Sequence, residues 1–403
     1  MKRGILMFCS LLMLLDAMAQ KTVISGVVVN SATGRAIEGA NVTAEGLSVV
    51  TNGDGYFVLK SDAKIETIAV SHIGYRLKRV SVDGLSAENQ KIRLEPMAIQ
   101  LREVLVVADN PRELVNAAIR KIPQNYSPTP ELYHCFYRET AMKRQHFICV
   151  AEGVVDMYKT SYQKGNGRDG VAISKGRRLL SPKRGDTLTV KVLGGPVAPV
   201  QLDVVKNTDF LLNSGELDHY ELKMEVPTSI ADRSQYVISL TPRMKLPYAL
   251  HFGKLYIDRE TLAFTRVELT LDMSDRQKAT DVMLIKKPLG VRFKPKEMSL
   301  LVDYRQGADG LSRISYIRTT LRFNCDWKRR LFSTSFATFC ELAVISSTNR
   351  DVQPIRGRET FDQRDAFFDK VDYFRDPDFW QDYNIIEPTE SLDKAVQRLL
   401  KKY

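Results

Sequence analysis

The sequence contains few of the residue patterns from which catalytic and metal centres are built. Its 403 residues include five histidines, none of them three or four positions from another, and the His-x-x-Glu pair of a zinc peptidase does not occur. The Gly-x-Ser-x-Gly turn that exposes a hydrolase serine and the lysine-serine end of a phosphate-binding loop are also missing. We therefore expect a protein that is not an enzyme and that needs no cofactor or metal ion.

Long apolar runs are equally scarce, and the one that occurs lies at the beginning of the chain. It covers residues 5–15, two basic residues precede it, and small residues follow it at the positions that signal peptidase recognises. This pattern predicts a signal peptide over residues 1–19, with cleavage between Ala19 and Gln20. The run is too short to span a bilayer as a helix. We expect an exported mature chain, in the periplasm or at the outer membrane, without a transmembrane helix.

Positive charge is in excess, since the formal net charge is +11 at pH 7. Part of it falls in one stretch that is predicted as a loop and contains Lys164, Arg168, Lys175, Arg177, Arg178, Lys183 and Arg184. Basic surfaces bind nucleic acids, anionic lipid headgroups or acidic glycans, and export argues against nucleic acid. A solvated basic face without a ligand is the alternative interpretation.

Four cysteines follow the signal peptide, namely Cys135, Cys149, Cys325 and Cys340. Export permits disulfides, and the spacing would pair the first with the second and the third with the fourth. A tight turn at 143–144 would not place Cys135 opposite Cys149, however, and apolar or aromatic residues lie close to each cysteine. Buried free thiols are therefore the favoured alternative.

Short strands separated by glycine turns are predicted over residues 20–96. The strands cover 23–29, 41–45, 56–60, 67–71, 78–82 and 91–94. Glycine supplies the positive φ of the turns at 33–34, 52–55 and 83–84. The turn at 52–55 has the composition of a calcium loop but lacks the later glutamate of such a site. The pattern favours a small β-sandwich.

Several motifs in this segment resemble the carboxypeptidase-regulatory-like domain. They cover 24–29, 33–34, 37–42, 51–57 and 71–75. The resemblance implies a transthyretin-like sandwich of about seven strands, and it implies no peptidase activity because this regulatory domain carries no catalytic groups. Residues 101–107 are similar to the linker strand that follows such domains in receptor-type outer-membrane proteins of the Bacteroidota, which implies an envelope protein from that group.

Residues 97–130 are predicted to hold this linker strand and one helix. Asn110 can cap the helix, Pro111 suits its first position, and Pro123 ends it.

Residues 131–350 are predicted to form a larger antiparallel, curved-sheet α+β domain, so that the whole protein is mainly β. The predicted strands cover 146–158, 220–226, 235–241, 254–258, 264–271, 281–286, 297–304, 312–323 and 332–345. Apolar and polar residues alternate over 267–272, which is typical of a sheet with one buried and one wet face. The segment 253–268 loosely resembles the periplasmic lipoprotein-carrier fold, whose half-barrel holds acyl chains.

The tail, residues 351–403, is predicted to end in an amphipathic helix over 391–402. Before it lie the candidate contact residues Asp378, Phe379, Trp380, Asp382 and Tyr383. Rings beside carboxylates can bind a sugar, whereas the alternative is that the rings pack the tail onto the sheet and the acids stay wet. Residues 135–139 and 378–388 also resemble uncharacterised Bacteroidota envelope proteins that carry the same sandwich.

Two functions fit these observations best. The first is a non-catalytic binding protein of the envelope, whose exposed edge strands accept an envelope protein partner, such as an outer-membrane transport or assembly complex. The alternative is a lipid or lipoprotein carrier with an acyl-chain cavity, and a glycan is a further candidate ligand. An enzyme of an unfamiliar kind is the third hypothesis.

Overall fold

The N-terminal part of the chain folds into two small sheets. A computed structural model describes residues 21–84, 90–97, 110–183, 186, 193–284, 290–327, 332–374 and 378–401. The predicted signal peptide with Ala19 and Gln20, and the predicted linker strand 101–107, lie outside the described residues. Seven strands come first: β1 (Thr22–Asn30), β2 (Asn41–Ala44), β3 (Leu47–Val50), β4 (Tyr56–Ser61), β5 (Thr67–Ser71), β6 (Lys78–Ser81) and β7 (Gln90–Leu94).

These strands confirm the predicted sandwich. One sheet has the order β4-β1-β7 and the other β3-β2-β5-β6. Buried and half-buried residues alternate along β4, so that Phe57 and Leu59 point into the core shared with Val42 and Ile68. Strand β3 was not predicted. It follows a tight turn in which Glu45 has a φ of 46° and Gly46 a φ of 79°, the backbone that a two-residue hairpin requires.

A third, much larger sheet contains twelve strands within the described residues. They are β8 (Glu131–Lys143), β9 (His146–Lys159), β10 (Gly170–Leu180), β11 (Tyr220–Met224), β12 (Thr228–Ile230), β13 (Arg233–Pro242), β14 (His251–Asp258), β15 (Phe264–Leu271), β16 (Val291–Gln306), β17 (Ser312–Trp327), β18 (Thr334–Thr348) and β19 (Asp372–Tyr373). The order is β11-β13-β14-β15-β16-β17-β18-β8-β9-β10-β19, with β12 paired to β13. Among the strand pairings of this sheet that the structure describes, the short β10–β19 pairing is parallel and the others are antiparallel. The sheet is curved and does not close, which confirms the predicted half-barrel-like architecture.

Helices are short and lie between the strands. They are α1 (Pro111–Arg120), α2 (Ile122–Asn125), α3 (Val197–Gln201), α4 (Ser214–Leu217), α5 (Arg276–Met283) and α6 (Glu390–Leu400). Single 3-10 turns cover Val82–Gly84, Asn166–Arg168, Thr208–Phe210 and Phe367–Asp369. As predicted, Asn110 caps α1 by accepting from the backbone N–H of Arg112 at 2.9 Å. Within the described ranges, no helix has the length and apolar character needed to cross a membrane.

Two predictions are wrong. The predicted strand at 281–286 begins inside helix α5, because Asp275 caps that helix by accepting from the N–H groups of Gln277 and Lys278 at 3.0 and 3.2 Å. The basic stretch that was predicted as a loop contains strand β10, and Lys175, Arg177 and Arg178 lie on it. The basic side chains of that strand contact other parts of the same chain.

The interior of the half-barrel is filled with side chains, including buried ions. Asp203 is fully buried and accepts from Lys159 Nζ at 2.6 Å, from Tyr304 OH at 2.7 Å and from Tyr162 OH at 2.9 Å. Burial would raise the pKa of Asp203, but Lys159 and these hydroxyl donors outweigh it, and the pKa lies below its ordinary value. Side chains on the inner face of the sheet are thus held by a buried charge pair as well as by apolar packing.

All four cysteines are buried free thiols, as the favoured alternative predicted. The register explains this: Cys149 lies opposite Ala141, Cys325 opposite Thr334, and Cys340 opposite Glu139. No two of the four are cross-strand partners in these pairings.

Glu139 lies on β8 in the buried interior and accepts a hydrogen bond from Tyr137 OH at 2.6 Å. Burial raises the pKa of this carboxyl from 4.5 to about 7, and the Tyr137 hydrogen bond offsets only part of the rise. The folded state therefore holds this proton more tightly than the unfolded state.

We expect the free energy of unfolding to fall as the pH rises from 4.5 to about 7, because the Glu139 carboxyl must ionise without water. Glu139→Gln should remove this loss and stabilise the protein at pH 8 by roughly 2–3 kcal/mol, with little effect at pH 5. Urea unfolding at both pH values measures the difference. The exposed Glu66→Gln is the control, and an equal gain at both pH values would contradict the assignment.

Candidate functional site

The C-terminal tail passes between the sandwich and the large sheet. Its Asn384 pairs with the backbone of Lys60 on β4: Oδ1 accepts from the Lys60 N–H at 2.7 Å, and Nδ2 donates to the Lys60 carbonyl at 2.8 Å. Lys60 Nζ donates to the carbonyls of Trp380 at 2.9 Å and Tyr383 at 3.1 Å. Strand β4 is the outer strand of its sheet, so the tail occupies an edge that was expected to be open to a partner.

On its other side the tail is held by a buried carboxylate of the large sheet. Glu152 on β9 accepts from Trp380 Nε1 at 2.9 Å, from Arg138 Nε at 2.8 Å and from Arg177 Nε at 3.2 Å. Arg138 also donates to the carbonyl of Ile386. Burial alone would raise the pKa of Glu152, but the two arginines and the indole outweigh it, and the pKa lies below its ordinary value. The ionised carboxylate is therefore the form that holds the tail.

Aromatic rings of the tail cover the basic residues of β10. Lys175 Nζ lies 4.1 Å from the centre of the Phe379 ring and donates to the Phe379 carbonyl at 2.8 Å. The Arg177 guanidinium lies 3.9 Å from the Phe374 ring and 5.2 Å from the Trp380 ring. These cation–π contacts explain why the basic stretch is not a solvated face on this strand.

The structure brings the three predicted rings together and leaves the two acids at the surface. Trp380 is buried, and the half-buried Phe379 and Tyr383 stand edge-on to it at 4.6 and 6.1 Å. Asp378 and Asp382 are exposed. Asp382 pairs with Lys21 at 2.6 Å, and the hydrogen bond from this lysine lowers the pKa of the carboxyl. The arrangement is that of a packed tail, since Lys175 already lies over the ring of Phe379.

An apolar cluster completes the junction of sandwich, sheet and tail. Val50 of β3 is buried against Phe136 of β8 and Ile386 of the tail. The Phe136 ring meets the Trp380 indole edge-on at 5.6 Å. Because all three parts of the chain bury side chains in one cluster, the sandwich is seated on the sheet rather than hinged to it.

A cleft of about 440 Å³, the interdomain cleft, opens beside this junction. The turn at 51–53, strands β8, β17 and β18, and helix α6 form its walls. Its charged residues are Glu38, Arg138, Arg318, Glu341, Glu387 and Arg398, and its apolar residues include Met142, Phe147, Phe339 and Leu392. Sequence reasoning missed the cleft because these residues come from five separate segments that only the fold brings together.

Charged residues of the cleft form ion pairs and hydrogen bonds with neighbouring strands and with the sandwich. Arg318 on β17 bridges to Glu38 of the sandwich at 2.5 Å, and the guanidinium lies 5.7 Å from the ring of Phe339. Glu341 accepts from Tyr316 OH at 2.6 Å. Burial raises the pKa of Glu387 above its ordinary value, although Lys60 and Arg138 pull it down. The cleft therefore presents guanidinium groups and carboxylates beside apolar surface.

A histidine, an aspartate and a serine, the residue types of a catalytic triad, lie close together on the large sheet. Their hydrogen bonds do not connect them in the order that a triad requires. His134 Nδ1 lies 2.6 Å from Asp156 Oδ1, and Ser174 Oγ donates to the second oxygen of Asp156 at 2.7 Å. The aspartate stands in the middle, so the serine proton meets a carboxylate and not the imidazole that would act as base. Among the described residues, no three His, Cys, Asp or Glu side chains come close enough to hold a metal ion.

We expect Glu152→Gln to loosen the tail, because it leaves Arg138 and Arg177 buried without a counter-charge, at a cost of about 3–5 kcal/mol. Trp380 and Trp327 are the two tryptophans, so a Trp327→Phe background makes emission report on Trp380 alone. In that background Glu152→Gln should shift the emission to longer wavelength at pH 7.

The same probe tests the sign of the pH dependence. Since the pKa of Glu152 is depressed on folding, its stabilisation is complete above 4.5 and is lost as the pH falls through the lower folded value. The emission should stay constant from pH 8 to 5 and move to the red only below that. The surface variant Glu297→Gln serves as control, and an unshifted Glu152→Gln spectrum would contradict the role of Glu152.

Three solved structures are among those that are similar to this chain. A DUF1329 family protein from Desulfovibrio piger is 10% identical, with 61% of this chain and 96% of that chain covered and a TM-score of 0.25. A LolA superfamily protein from Nitrosomonas europaea is 14% identical, with 59% and 94% covered and a TM-score of 0.23. MucB in complex with MucA(peri) is 11% identical, with 60% and 100% covered and a TM-score of 0.18.

Comparison with curated proteins by sequence gives no match. At the level of families, residues 24–106 match the CarboxypepD_reg-like domain, the segment in which the motifs were found. The chain therefore carries a CarboxypepD_reg-like domain over residues 24–106, followed by a larger β-rich domain.

Proposed function

We propose that this chain is an exported, non-catalytic binding protein of the cell envelope, and that a segment of a protein partner binds in the interdomain cleft. The observation that carries the proposal is the clamp of the tail between the two domains, because it fixes both walls of the cleft in place. A preformed cleft binds without the cost of ordering its walls.

The chemistry of the cleft suits a polypeptide. Arg318 and Arg398 can donate to carbonyl or carboxylate oxygens, while Phe147 and Phe339 offer apolar contacts beside them. Strand addition is the less favoured mode, since the tail covers the β4 edge and the β6 edge carries the exposed Lys78 and Arg79.

The non-catalytic part of the proposal rests on the sequence, in which no catalytic motif was found. In the cleft, Glu38 is paired with Arg318 and Glu341 accepts from Tyr316. His134 is bound to Asp156 on a different part of the sheet.

A lipid or lipoprotein carrier is the second candidate, and a different pocket favours it. This pocket has a volume of about 860 Å³ and lies between the loop 242–250 and helix α5. Met244 and Tyr248 are 40% and 45% exposed there, beside the basic Lys245 and Lys278. Apolar side chains next to lysines suit an acyl chain with an anionic headgroup. A lipid would lie at this open rim, because the described interior of the half-barrel is packed.

Photo-crosslinking in the native cells tests the binding proposal. A benzophenone analogue in place of Phe147, inside the cleft, should give one discrete protein adduct after irradiation. The same analogue in place of Phe332, which is 76% exposed outside the cleft, should give none. Arg398→Ala should weaken the adduct about tenfold, since charge-assisted contacts are worth about one to two powers of ten. Arg358→Ala, at an exposed position that does not line the cleft, should leave it unchanged.

Other outcomes of this experiment would contradict the proposal. Equal adducts from both positions would make the contact non-specific, and an adduct with the mass of a lipid would favour the carrier. Turnover of a peptide or glycan that one cleft substitution abolishes would show an enzyme.

Export is tested separately by the mass of the recovered protein. We expect the envelope fraction to contain a chain that begins at Gln20 and lacks residues 1–19, because the apolar run and the small residues before Gln20 match a cleavable signal peptide. Intact mass spectrometry of each cell fraction measures this. Recovery of the full-length chain from the cytosol would overturn the proposed location.

A further inference from the structure

A second site lies on the other side of the sandwich, where β2 and β5 face the large sheet. A pocket of about 270 Å³, the Arg305 pocket, is lined by Asn41 of β2, Ser71 of β5, Thr265 of β15 and Arg305 of β16. It shares no lining residue with the interdomain cleft. A volume of this size holds a ligand no larger than one sugar or one amino acid.

Arg305 is a half-buried cation for which the described residues form no ion pair. Its Nη1 atom is buried and has no hydrogen-bond partner among the described residues. Its cross-strand neighbour on β17 is another arginine, Arg313. Like charges opposite each other on neighbouring strands are destabilising, and an unpaired buried guanidinium is costly as well.

The nearby acids are held by other arginines. Arg313 binds Glu131 at 2.6 Å and Asp309 at 2.7 Å. Arg233 and Asp258, which also line the pocket, form two hydrogen bonds of 2.6 and 2.8 Å with each other. Burial lowers the pKa of Arg305 to about 10, and Arg313 adds to the effect. Arg305 therefore keeps an unused donor, because the neighbouring carboxylates are already paired with Arg313 and Arg233.

The same pocket contains a buried acceptor without a partner. Asn41 Oδ1 is buried and has no hydrogen-bond partner in the described part of the chain. A ligand that satisfies both atoms must accept from Arg305 and donate to Asn41. An oxyanion that also carries a hydroxyl group has both properties.

We propose that the Arg305 pocket binds a small hydroxylated oxyanion, with the oxyanion on Arg305 and a hydroxyl donating to Asn41. Both sugar acids and sugar phosphates have this chemistry. The inference does not rest on the proposed function of the interdomain cleft, and either can fail without the other.

Calorimetric titration and thermal unfolding of the mature chain test the site. The probes are glucuronate, glucose 6-phosphate and inorganic phosphate, with glucose and sodium chloride of equal ionic strength as controls. At least one sugar oxyanion should bind and raise Tm, and glucose and chloride should not. A tighter affinity for glucuronate would identify carboxylate as the preferred group, and a tighter affinity for glucose 6-phosphate would identify phosphate. Inorganic phosphate should bind more weakly because it offers Asn41 no sugar hydroxyl.

Variants then separate a ligand site from a structural arginine. Arg305→Met should weaken binding by about tenfold or more, and it should raise Tm without ligand because it removes an unpaired buried charge. Arg313→Met should lower Tm, since it strips Glu131 and Asp309 of their partner. Arg358→Met, at an exposed position, should change neither quantity. The proposal is overturned if no oxyanion exceeds the glucose and chloride controls, or if Arg305→Met lowers Tm as Arg313→Met does.

Discussion

The buried carboxylate of Glu152 is the contact on which the relation between the two domains depends. It accepts from Arg138, Arg177 and Trp380, and thereby ties strands β8, β9 and β10 to the tail. The tail in turn pairs with Lys60 of the sandwich. A single ionised group in a dry site thus holds together segments that are far apart in sequence, and the interdomain cleft exists because they are held. Such a group works only while both arginines remain to balance its charge.

Local patterns allowed much of the fold to be predicted. The features that were predicted correctly depend on residues close together in sequence. They are the alternation of apolar and polar residues in β15, the glycine turns of the sandwich and the Asn110 cap of α1. Errors arose where a longer-range contact decides the conformation. The charges of β10 suggest a loop in isolation, but rings of the tail cover them. The segment after Asp275 has apolar residues that suit a strand, yet the cap starts a helix.

The candidate site was less accessible to sequence reasoning. Trp380 and its neighbours were recognised as unusual, and their rings do lie together, but the partners on β9 and β10 are more than two hundred positions away. Likewise, nothing in the sequence marks Arg305 as different from other arginines. Its distinction is that Arg313 lies opposite and the nearby acids are already paired, and both facts depend on strand register. Register is a property of the whole sheet.

The pairing of Asn384 with Lys60 links positions 324 residues apart, which has a consequence for the order of assembly. A ribosome completes the sandwich first, and a domain of this size can fold as soon as it emerges. Its outer strand nevertheless stays without its cover until the last few dozen residues have been made. A chain that stops before Asn384 would present a finished first domain with a bare β4 edge. An unpaired edge strand of this kind can pair with another chain, so the tail protects the sandwich against aggregation.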